Sequence, residues 1–162
     1  MVYRNGSDMS RIVEMDIVPL ATHKESVRDL LDFLPVLYPD GSTWLVNALD
    51  EVTCGGADGF EASSDGKIVG ILLGRLKSDR RYKIRTLFVS PDSRGRGLGR
   101  TLLRAGIERS ISRGASSAYI TFAHTLQHDI APLLETEGFE ECGNAINRYG
   151  LGRHEVVYER IL

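Results

Sequence analysis

The stretch IRTLFVSPDSRGRGLG, residues 84–99, joins a short apolar run to a glycine-rich loop through a proline-containing turn. After it, apolar residues recur on one helical stripe, at Leu98, Leu102, Leu103, Ile107 and Ile111. Glycines let successive backbone N–H groups converge on one point, and the start of a helix adds unpaired N–H groups and a positive dipole end. We therefore predict a strand, loop and helix that bind a diphosphate through residues 94–99.

Other nucleotide-binding loops fit this stretch less well. A Walker loop requires lysine followed by Ser or Thr after its last glycine, whereas Gly99 is followed by Arg100 and Thr101. A Rossmann turn has the spacing G-x-G-x-x-G early in a βαβ unit, and this loop has G-x-G-x-G late in the chain. A disordered arginine–glycine segment that binds RNA would lack the flanking strand and apolar helix. The remaining alternative is a glycine-rich turn that carries surface arginines.

Hydrophobic periodicity along the chain predicts a single α/β domain with a mixed central sheet flanked by helices. Residues 1–10 are polar and patternless, so we predict a disordered N-terminal extension followed by a domain over residues 11–162. Ser42 and Asp129 are predicted to cap helices, with Pro132 tolerated in the first turn after Asp129. The predicted strands are Ile12–Leu20, Gly59–Ser63, Lys67–Leu76, Ile84–Val89, Ala118–Ala123, Phe139–Cys142 and Glu155–Leu162, and the predicted helices are Glu25–Leu37, one from Ser42, Leu98–Arg113 and Asp129–Glu137.

Composition argues against several classes of protein. The apolar share of 42% and the charged share of 26% are ordinary for a soluble globular protein, and no apolar run could cross a bilayer. The N-terminus lacks a secretory signal pattern, and Cys54 and Cys142 have no metal or redox spacing. His124 and His128 lie four residues apart without a third ligand, so we predict no metal site. We expect a cytoplasmic protein without a membrane or nucleic-acid partner, and a homodimer is compatible with the sequence.

Charge is unevenly distributed along the chain, although the net charge is only −2. A basic segment from Arg75 to Arg104 predicts an anionic ligand, and an acidic stretch from Glu14 to Asp65 predicts a cationic partner or a solvated surface. The basic segment contains Arg75, Lys77, Arg80, Arg81, Lys83, Arg85, Arg94, Arg96, Arg100 and Arg104. The acidic stretch contains Glu14, Asp16, Glu25, Asp29, Asp32, Asp40, Asp50, Glu51, Asp58, Glu61 and Asp65.

Two motifs in this chain resemble those of the GNAT superfamily of N-acetyltransferases. Leu87-Phe88-Val89-x-Pro91 followed by Arg94-x-x-Gly97-x-Gly99 is similar to the family signature [Q/R]-x-x-G-x-[G/A] and its preceding strand. Gly138-Phe139, after a predicted helix, looks like the second landmark of the family. The predicted order of elements also agrees with the family fold over nearly the whole chain.

The resemblance implies that acetyl-CoA is the co-substrate and that the sheet splays open beside the strand Ile84–Val89. The amine acceptor would enter from the opposite side, between the first two helices and the last hairpin, and attack the thioester directly. Gln127 falls at the position of an asparagine that often contacts the cofactor. The implied cofactor-binding residues are Leu87, Phe88, Val89, Arg94, Gly95, Arg96, Gly97, Leu98, Gly99, Arg100 and Gln127.

The chain departs from the family at the positions that often carry acid–base groups. The usual tyrosine acid falls at Leu134, and the usual acidic base falls at Arg85 or Thr86. We therefore predict Tyr149 as the catalytic residue and His124 as the next candidate. Glu51 and Glu61 are further candidates for the base. Two other functions remain open, namely a non-catalytic module that binds acetyl-CoA and a nucleic-acid module that uses the basic segment.

Overall fold

The computed structural model of the chain describes residues 17–20 and 24–162, and the predictions for residues 1–10 and for the beginning of the first strand lie outside the described residues. The strands are β1 (Ile17–Pro19), β2 (Asp58–Ser64), β3 (Lys67–Leu76), β4 (Arg81–Val89), β5 (Ser117–Ala123), β6 (Glu140–Ala145) and β7 (Glu155–Ile161). The helices are α1 (Lys24–Leu30), α2 (Leu34–Leu37), α3 (Gly41–Thr53), α4 (Leu98–Ser112) and α5 (Gln127–Thr136). The seven strands form one mixed sheet in the order β1-β2-β3-β4-β5-β7-β6, in which β4 and β5 are parallel. The predicted fold class, a single α/β domain with a mixed sheet flanked by helices, is confirmed.

Helix boundaries near the N-terminus differ from the prediction. The predicted helix Glu25–Leu37 is divided into α1 and α2, because Pro35 lies in the first turn of α2 and cannot continue a preceding helix. The prediction that Ser42 caps a helix is wrong, since α3 already begins at Gly41. Glycine is required there by a close approach, because a Cβ atom at residue 41 would lie 2.6 Å from the backbone of Leu34.

The start of α5 also differs from the prediction. Asp129 lies inside α5 and does not cap it, because a 3-10 turn at His124–Leu126 leads directly into the helix at Gln127. Pro132 is therefore in the helix interior, where it lacks the N–H that would donate to the carbonyl four residues earlier. Gly138 follows the helix with a φ of +82°, the conformation typical of a C-terminal glycine.

Helices pack on both faces of the sheet. On one face, α4 and α5 bury Leu102, Leu103 and Leu134 against β4, β5 and β7. On the other face, α1, α2 and α3 bury Val27 and Leu49 against β3. The two apolar clusters lie on opposite sides of the same sheet, so the sheet is the rigid layer on which other segments are positioned.

The ladder between β4 and β5 is short. It joins Arg81–Ile84 to Ser117–Ile120, although β4 continues to Val89 and β5 continues to Ala123. Meanwhile β4 stays paired with β3 as far as Val89, and β5 stays paired with β7 as far as Ala123. The two halves of the sheet therefore separate beyond Ile84, which leaves a cleft between two strands that are each held on their other side.

A β-bulge lies at the point of separation. In the ladder between β3 and β4, Leu73 pairs with Thr86 and Gly74 pairs with Ile84, so Arg85 is the extra residue. Such a bulge redirects the strand and increases its local twist. The bulge therefore turns the end of β4 away from β5 and contributes to the opening of the cleft.

A buried carboxylate fastens α4 to the sheet on the far side of this cleft. Asp58 accepts a hydrogen bond from the hydroxyl of Tyr82 at 3.1 Å and one from Nη2 of Arg113 at 2.7 Å. Nε of Arg109 lies 3.6 Å from the same oxygen that Arg113 contacts. Burial, with the Asp58 charge beside it, raises the pKa of Tyr82, so its hydroxyl remains a donor at ordinary pH.

We expect Tyr82→Phe to lower the free energy of unfolding by about 1–3 kcal/mol, because one oxygen of the buried Asp58 loses its donor. Tyr119→Phe is the matched control, since the Tyr119 hydroxyl donates no hydrogen bond to any residue that the structure describes. Both variants should be compared with the wild type by urea unfolding. Equal stability of the two variants would show that the Tyr82 hydroxyl contributes little.

Candidate active site

The cleft opens at one end of the sheet, where several predicted site residues meet. Because β4 and β5 are parallel, their last residues, Val89 and Ala123, point toward the same edge. Glu155, the first residue of β7, pairs with Ala123 and so lies at this edge too. The glycine-rich loop that follows β4 and His124, which follows β5, begin there as well. The predicted cofactor residues and His124 are therefore brought to one end of the molecule.

The loop at residues 94–99 presents a row of unpaired amides. Gly95 and Gly97 have φ of +75° and +81°, and a Cβ atom at either would meet no protein atom within 4 Å. Before this row, the N–H of Arg94 donates a hydrogen bond to the carbonyl of Pro91, and after it the N–H of Thr101 donates to the carbonyl of Gly97. Within the described part of the chain, the six amides of residues 95–100 donate to no oxygen. They face open space at a helix N-terminus, which is an arrangement suited to a diphosphate.

The arginines of the loop have different environments. Nε of Arg94 donates to the carbonyl of Val89 at 3.0 Å, which ties the loop back to β4. Nε of Arg100 lies 3.2 Å from Glu137, and Nε of Arg104 donates to the same carboxylate at 2.9 Å. This bond from Arg104 lowers the pKa of Glu137. The side chain of Arg100 thus joins α4 to α5, whereas Arg96 is exposed and makes no such pair among the described residues.

The end of β4 offers backbone and apolar groups to the cleft. Leu87 and Val89 pack against the cluster below α4, and Phe88 lies on the opposite face against Phe33, with ring centroids 4.8 Å apart. The edge of β4 from Arg85 to Val89 has no strand partner on the β5 side among the residues that the structure describes. An extended ligand could therefore add to this edge as a short strand would.

Gln127 is engaged at the first turn of α5. Its side-chain nitrogen donates to Glu141 at 2.8 Å and to the hydroxyl of Tyr158 at 3.1 Å. These bonds place the Gln127 amide between α5, β6 and β7. Its role as a cofactor contact stays a prediction. For this nitrogen to donate to a cofactor, one of its two present hydrogen bonds would have to break.

A connector between β6 and β7, residues 146–154, closes over the other face of the cleft. Its Tyr149 packs edge-on against Tyr38 after α2, with ring centroids 5.2 Å apart. Nη2 of Arg153 donates to the carbonyl of Leu37 at 2.6 Å. The backbone N–H of His124 donates to the carbonyl of His154 at 2.9 Å, so the connector is also fastened to the end of β5. We use the name acceptor chamber for the region bounded by this connector, Tyr38 and β4, because the resemblance described above implies that an acceptor would enter from this side.

At the positions where the resemblance leads one to expect acid–base groups, this chain has residues that make other contacts. Arg85 donates to Glu51 at 2.7 Å and lies over the ring of Trp44, 5.1 Å from its centroid. Glu51 also accepts from Arg75 at 3.3 Å, so its carboxylate is held between two guanidinium groups. Leu134 is fully buried in the core. Glu61, a further candidate base, is buried within β2, on the far side of β3 from the cleft.

Two charged residues of the chamber were missed by sequence reasoning. Val156 and Tyr158 face the core below α4, so Glu155 points to the chamber face, as does Lys83 between the core residues Tyr82 and Ile84. The pKa of Tyr38 is raised mainly because the side chain is partly buried, and the negative charge of Glu155 is the second cause. The pKa of Lys83 is lowered mainly because the side chain is partly buried, and the positive charge of Arg148 is the second cause. The available signal was a glutamate opening the otherwise apolar start of the last strand.

Metal clusters and membrane-spanning helices are absent from residues 17–20 and 24–162. No group of three His, Cys, Asp or Glu side chains there could hold a metal ion. None of the helices described is long and apolar enough to cross a membrane. Cys54 and Cys142 are both exposed free thiols.

Comparisons with known proteins agree with this geometry. A family model described as the acetyltransferase (GNAT) family matches residues 24–139, which span the region from α1 to the glycine landmark after α5. No curated protein matches the chain closely enough to count as a relative.

Solved structures share the fold at low sequence identity. A GNAT-family acetyltransferase from Desulfovibrio desulfuricans has a TM-score of 0.77 and 17% identity, covering 92% of this chain and 98% of that one. The ribosomal-protein-S18-alanine N-acetyltransferase of Escherichia coli has a TM-score of 0.74 and 19% identity, covering 91% and 93%. A GNAT-family acetyltransferase from Elizabethkingia anophelis, with acetyl-CoA bound, has a TM-score of 0.71 and 14% identity, covering 91% and 98%. These likenesses show the fold.

We expect Gly97→Ala to weaken acetyl-CoA binding at least about ten-fold, because the new Cβ enters the space that the unpaired amides face. Gly66→Ala is the matched control. Gly66 has a φ of +74° and open space around its Cβ, so it carries the same backbone strain, but it lies in the remote β2–β3 turn. Calorimetric titration of both variants separates blocking of the loop from general strain. Equal affinities for the two variants would contradict the assignment of this loop to the diphosphate.

Proposed function

The chain belongs to the acetyltransferase (GNAT) family, and we propose that it transfers the acetyl group of acetyl-CoA to a primary amine. The proposal rests on one observation, namely that two sets of unpaired backbone groups lie next to each other. The free edge of β4 leads directly into the loop whose amides, from residue 95 to residue 100, have no acceptor in the described part of the chain. A ligand with an extended amide-bearing arm and a diphosphate at one end complements both sets.

The residues present fit acetyl-CoA in this position. Amides of the loop would bind the diphosphate, and the edge of β4 from Arg85 to Val89 would pair with the pantetheine arm. Acetyl-CoA supplies an activated acyl group on a good leaving thiolate. The protein's contribution is then to hold that thioester between β4 and β5 while the acceptor approaches from the chamber, which converts a bimolecular reaction into a positioned one.

The reaction that this arrangement supports is direct attack. The amine nitrogen forms a bond to the acetyl carbon, the carbon–sulfur bond breaks, and the thiolate leaves with the electron pair of that bond. An ammonium cannot attack, so the acceptor must first lose a proton, at a cost of about 1.4 kcal/mol for each pH unit below its pKa. After attack, the nitrogen releases a second proton, which the thiolate can take up directly or through another group.

Tyr149 and His124 are the groups that we propose for proton transfer at the thiolate. Tyr149 lies in the connector beside Tyr38, and its ring forms part of the chamber wall. His124 follows the last residue of β5 and is exposed at the edge where the cleft opens. A thiolate is a fair leaving group in water, so an acid at this position contributes less than positioning does.

The proposed acceptor is a primary amine that is cationic in solution. Most carboxylates of the acidic stretch that lie near the cleft already have cationic partners, as Asp50 has Lys24 and Glu51 has Arg75 and Arg85. Related folds serve unlike acceptors, since the E. coli neighbour is named for a protein alanine and another for an aminoglycoside. The assay therefore compares cationic amines of different size and charge.

The test is an assay of thiol release with acetyl-CoA and four amines, namely butylamine, spermidine, kanamycin and the tripeptide Ala-Ala-Ala, with aniline as the neutral comparison. We expect at least one cationic amine to release CoA faster than buffer alone and faster than aniline. Tight acetyl-CoA binding without thiol release for any amine would favour the alternative function, a non-catalytic acetyl-CoA-binding module.

We expect Tyr149→Phe to lower turnover by about ten- to a hundred-fold at most, because water can partly replace a single acid–base group. The affinity for acetyl-CoA should not change, since Tyr149 lies in the connector and not in the loop at residues 94–99. The variant is compared with the wild type across pH by the same assay. A bell-shaped profile that survives in Tyr149→Phe would assign the acid to another residue, and His124→Gln would then be tested first.

A further inference from the structure

Glu155 has an unsatisfied atom in the wall of the acceptor chamber. Its side chain is only 7% exposed, and its Oε2 atom accepts no hydrogen bond from any residue that the structure describes. Nε of Arg148 lies 3.8 Å from this oxygen, which is within ion-pair range but beyond hydrogen-bonding distance. The carboxylate thus has a nearby positive charge but no donor for this oxygen.

Other buried carboxylates of the protein are better paired. Asp58 has an arginine nitrogen 2.7 Å away, and Glu137 has one 2.9 Å from its Oε2. Oε1 of Glu137 also accepts no hydrogen bond from a described residue, but Nε of Arg100 lies 3.2 Å from it, closer than Arg148 lies to Glu155. Burying a carboxylate oxygen without a donor is unfavourable, because the water that solvated it is lost and nothing replaces its hydrogen bonds. Native structures leave few such atoms, and each one calls for an explanation, of which a bound ligand and a catalytic role are two.

The position of Glu155 indicates which ligand this would be. It lies on the chamber face of β7, next to the last residue of β5, at the edge where the cleft opens. Its charge contributes to the pKa of Tyr38 and of Lys83, so it lies near the end of α2 and near β4. A donor to this oxygen would have to come from a group that enters the chamber or from a movement of a neighbouring side chain such as Arg148.

We propose that Glu155 binds the ammonium group of the acceptor and takes its proton before the amine attacks. This inference rests on the proposed acetyl transfer. One N–H bond of the ammonium breaks and its proton moves to the Glu155 carboxylate, which leaves a neutral amine with a free lone pair. Attack on the acetyl carbon then expels the thiolate, the nitrogen's second proton goes to the thiolate, and Glu155 returns its own proton to solvent.

The charges around Glu155 also restrict the acceptor. The titratable and charged groups near it are Lys83 from β4, Tyr38 after α2, Arg148, Tyr149, Arg153 and His154 from the connector, His124 after β5, and the Arg85–Glu51 pair at the bulge. Positive side chains predominate in this set. A second ammonium on the acceptor would be repelled by them, so the favoured acceptor carries one ammonium and is otherwise neutral or anionic.

The first experiment measures binding without turnover. The protein is saturated with CoA, which cannot donate an acetyl group, and titrated with butylammonium chloride while amide signals are followed by NMR. Glu155→Gln should weaken butylammonium binding by about ten-fold or more, as expected for a lost charge-assisted hydrogen bond. Wild-type protein should bind spermidine more weakly than butylammonium. Unchanged butylammonium binding in Glu155→Gln would overturn the proposal, and preferential binding of spermidine would overturn the restriction to a single ammonium.

The second experiment measures turnover with butylamine. Glu155→Gln should lower kcat/KM by about a hundred-fold, the lower end of the effect of a general base, and leave acetyl-CoA affinity within about two-fold. Its rate should recover as the pH is raised, because solvent then supplies the neutral amine. Glu155→Asp, which keeps the charge, should recover part of the activity at neutral pH. Butylammonium binding that depends on Glu155, in a wild-type protein that releases no thiol, would contradict the acetyl transfer and support the ammonium site.

Arg148→Gln is the control for a purely structural ion pair. If Glu155 serves the acceptor, this variant should bind butylammonium as well as or better than the wild type, since a competing cation is removed. Its melting temperature and that of Glu155→Gln should stay near the wild-type value. Parallel losses of melting temperature and of turnover in both variants would show that the pair only stabilises the connector, and would overturn the proposal.

Discussion

The separation of two parallel strands is the constraint on which the rest of the structure depends. Once the ladder between β4 and β5 stops at Ile84 and Ile120, each strand continues with one edge unpaired. An unpaired strand edge is a row of donors and acceptors with which another extended chain can pair. The amides at residues 95–100 extend the same unpaired row around the corner into α4. The protein therefore presents one continuous backbone surface that a single extended, phosphate-bearing molecule can satisfy.

Paired charges fasten the elements that flank the cleft. The bulge at Arg85 is held by Glu51 from α3, while the two ends of α4 are fastened to different halves of the sheet layer. Near its beginning, Arg100 and Arg104 contact Glu137 after α5. Near its end, Arg109 and Arg113 contact Asp58 of β2. These pairs join the half-exposed arginines of α4 to two buried carboxylates, one after α5 and one on β2. The two ends of α4 are therefore fixed to segments on opposite flanks of the cleft.

Much of the fold was predictable from sequence because it rests on local patterns. The apolar stripe of α4, the strand before it and the glycines at residues 95 and 97 each follow from short-range rules. The role of Arg100 was not predictable in the same way, since its partner Glu137 follows another helix. The sequence also did not show that carboxylates of the acidic stretch, such as Glu51, are paired with arginines far away in the chain. Helix starts at Gly41 and Gln127 were missed because tertiary contacts replaced the expected caps. Glu155 was missed because only the three-dimensional structure shows that its oxygen lacks a donor.

The distribution of satisfied and unsatisfied groups is itself the strongest guide to function in this protein. Asp58 and Glu137 are buried and paired with arginines, and both lie away from the open end of the sheet. Oε1 of Glu137 accepts no hydrogen bond from a described residue, but Nε of Arg100 lies only 3.2 Å from it. At the open end, three sets of groups have no close partner in the described part of the chain, namely the β5-side edge of β4, the amides of the loop and Oε2 of Glu155. All three lie at the same end of the sheet, and they suit different ligands. The edge of β4 and the amides of the loop can pair with an extended, anionic ligand. The free oxygen of Glu155 can accept a hydrogen bond from a cation. This pattern of incomplete hydrogen bonding is what the proposed reaction needs, since an anionic cofactor and a cationic amine would then meet where the strands part.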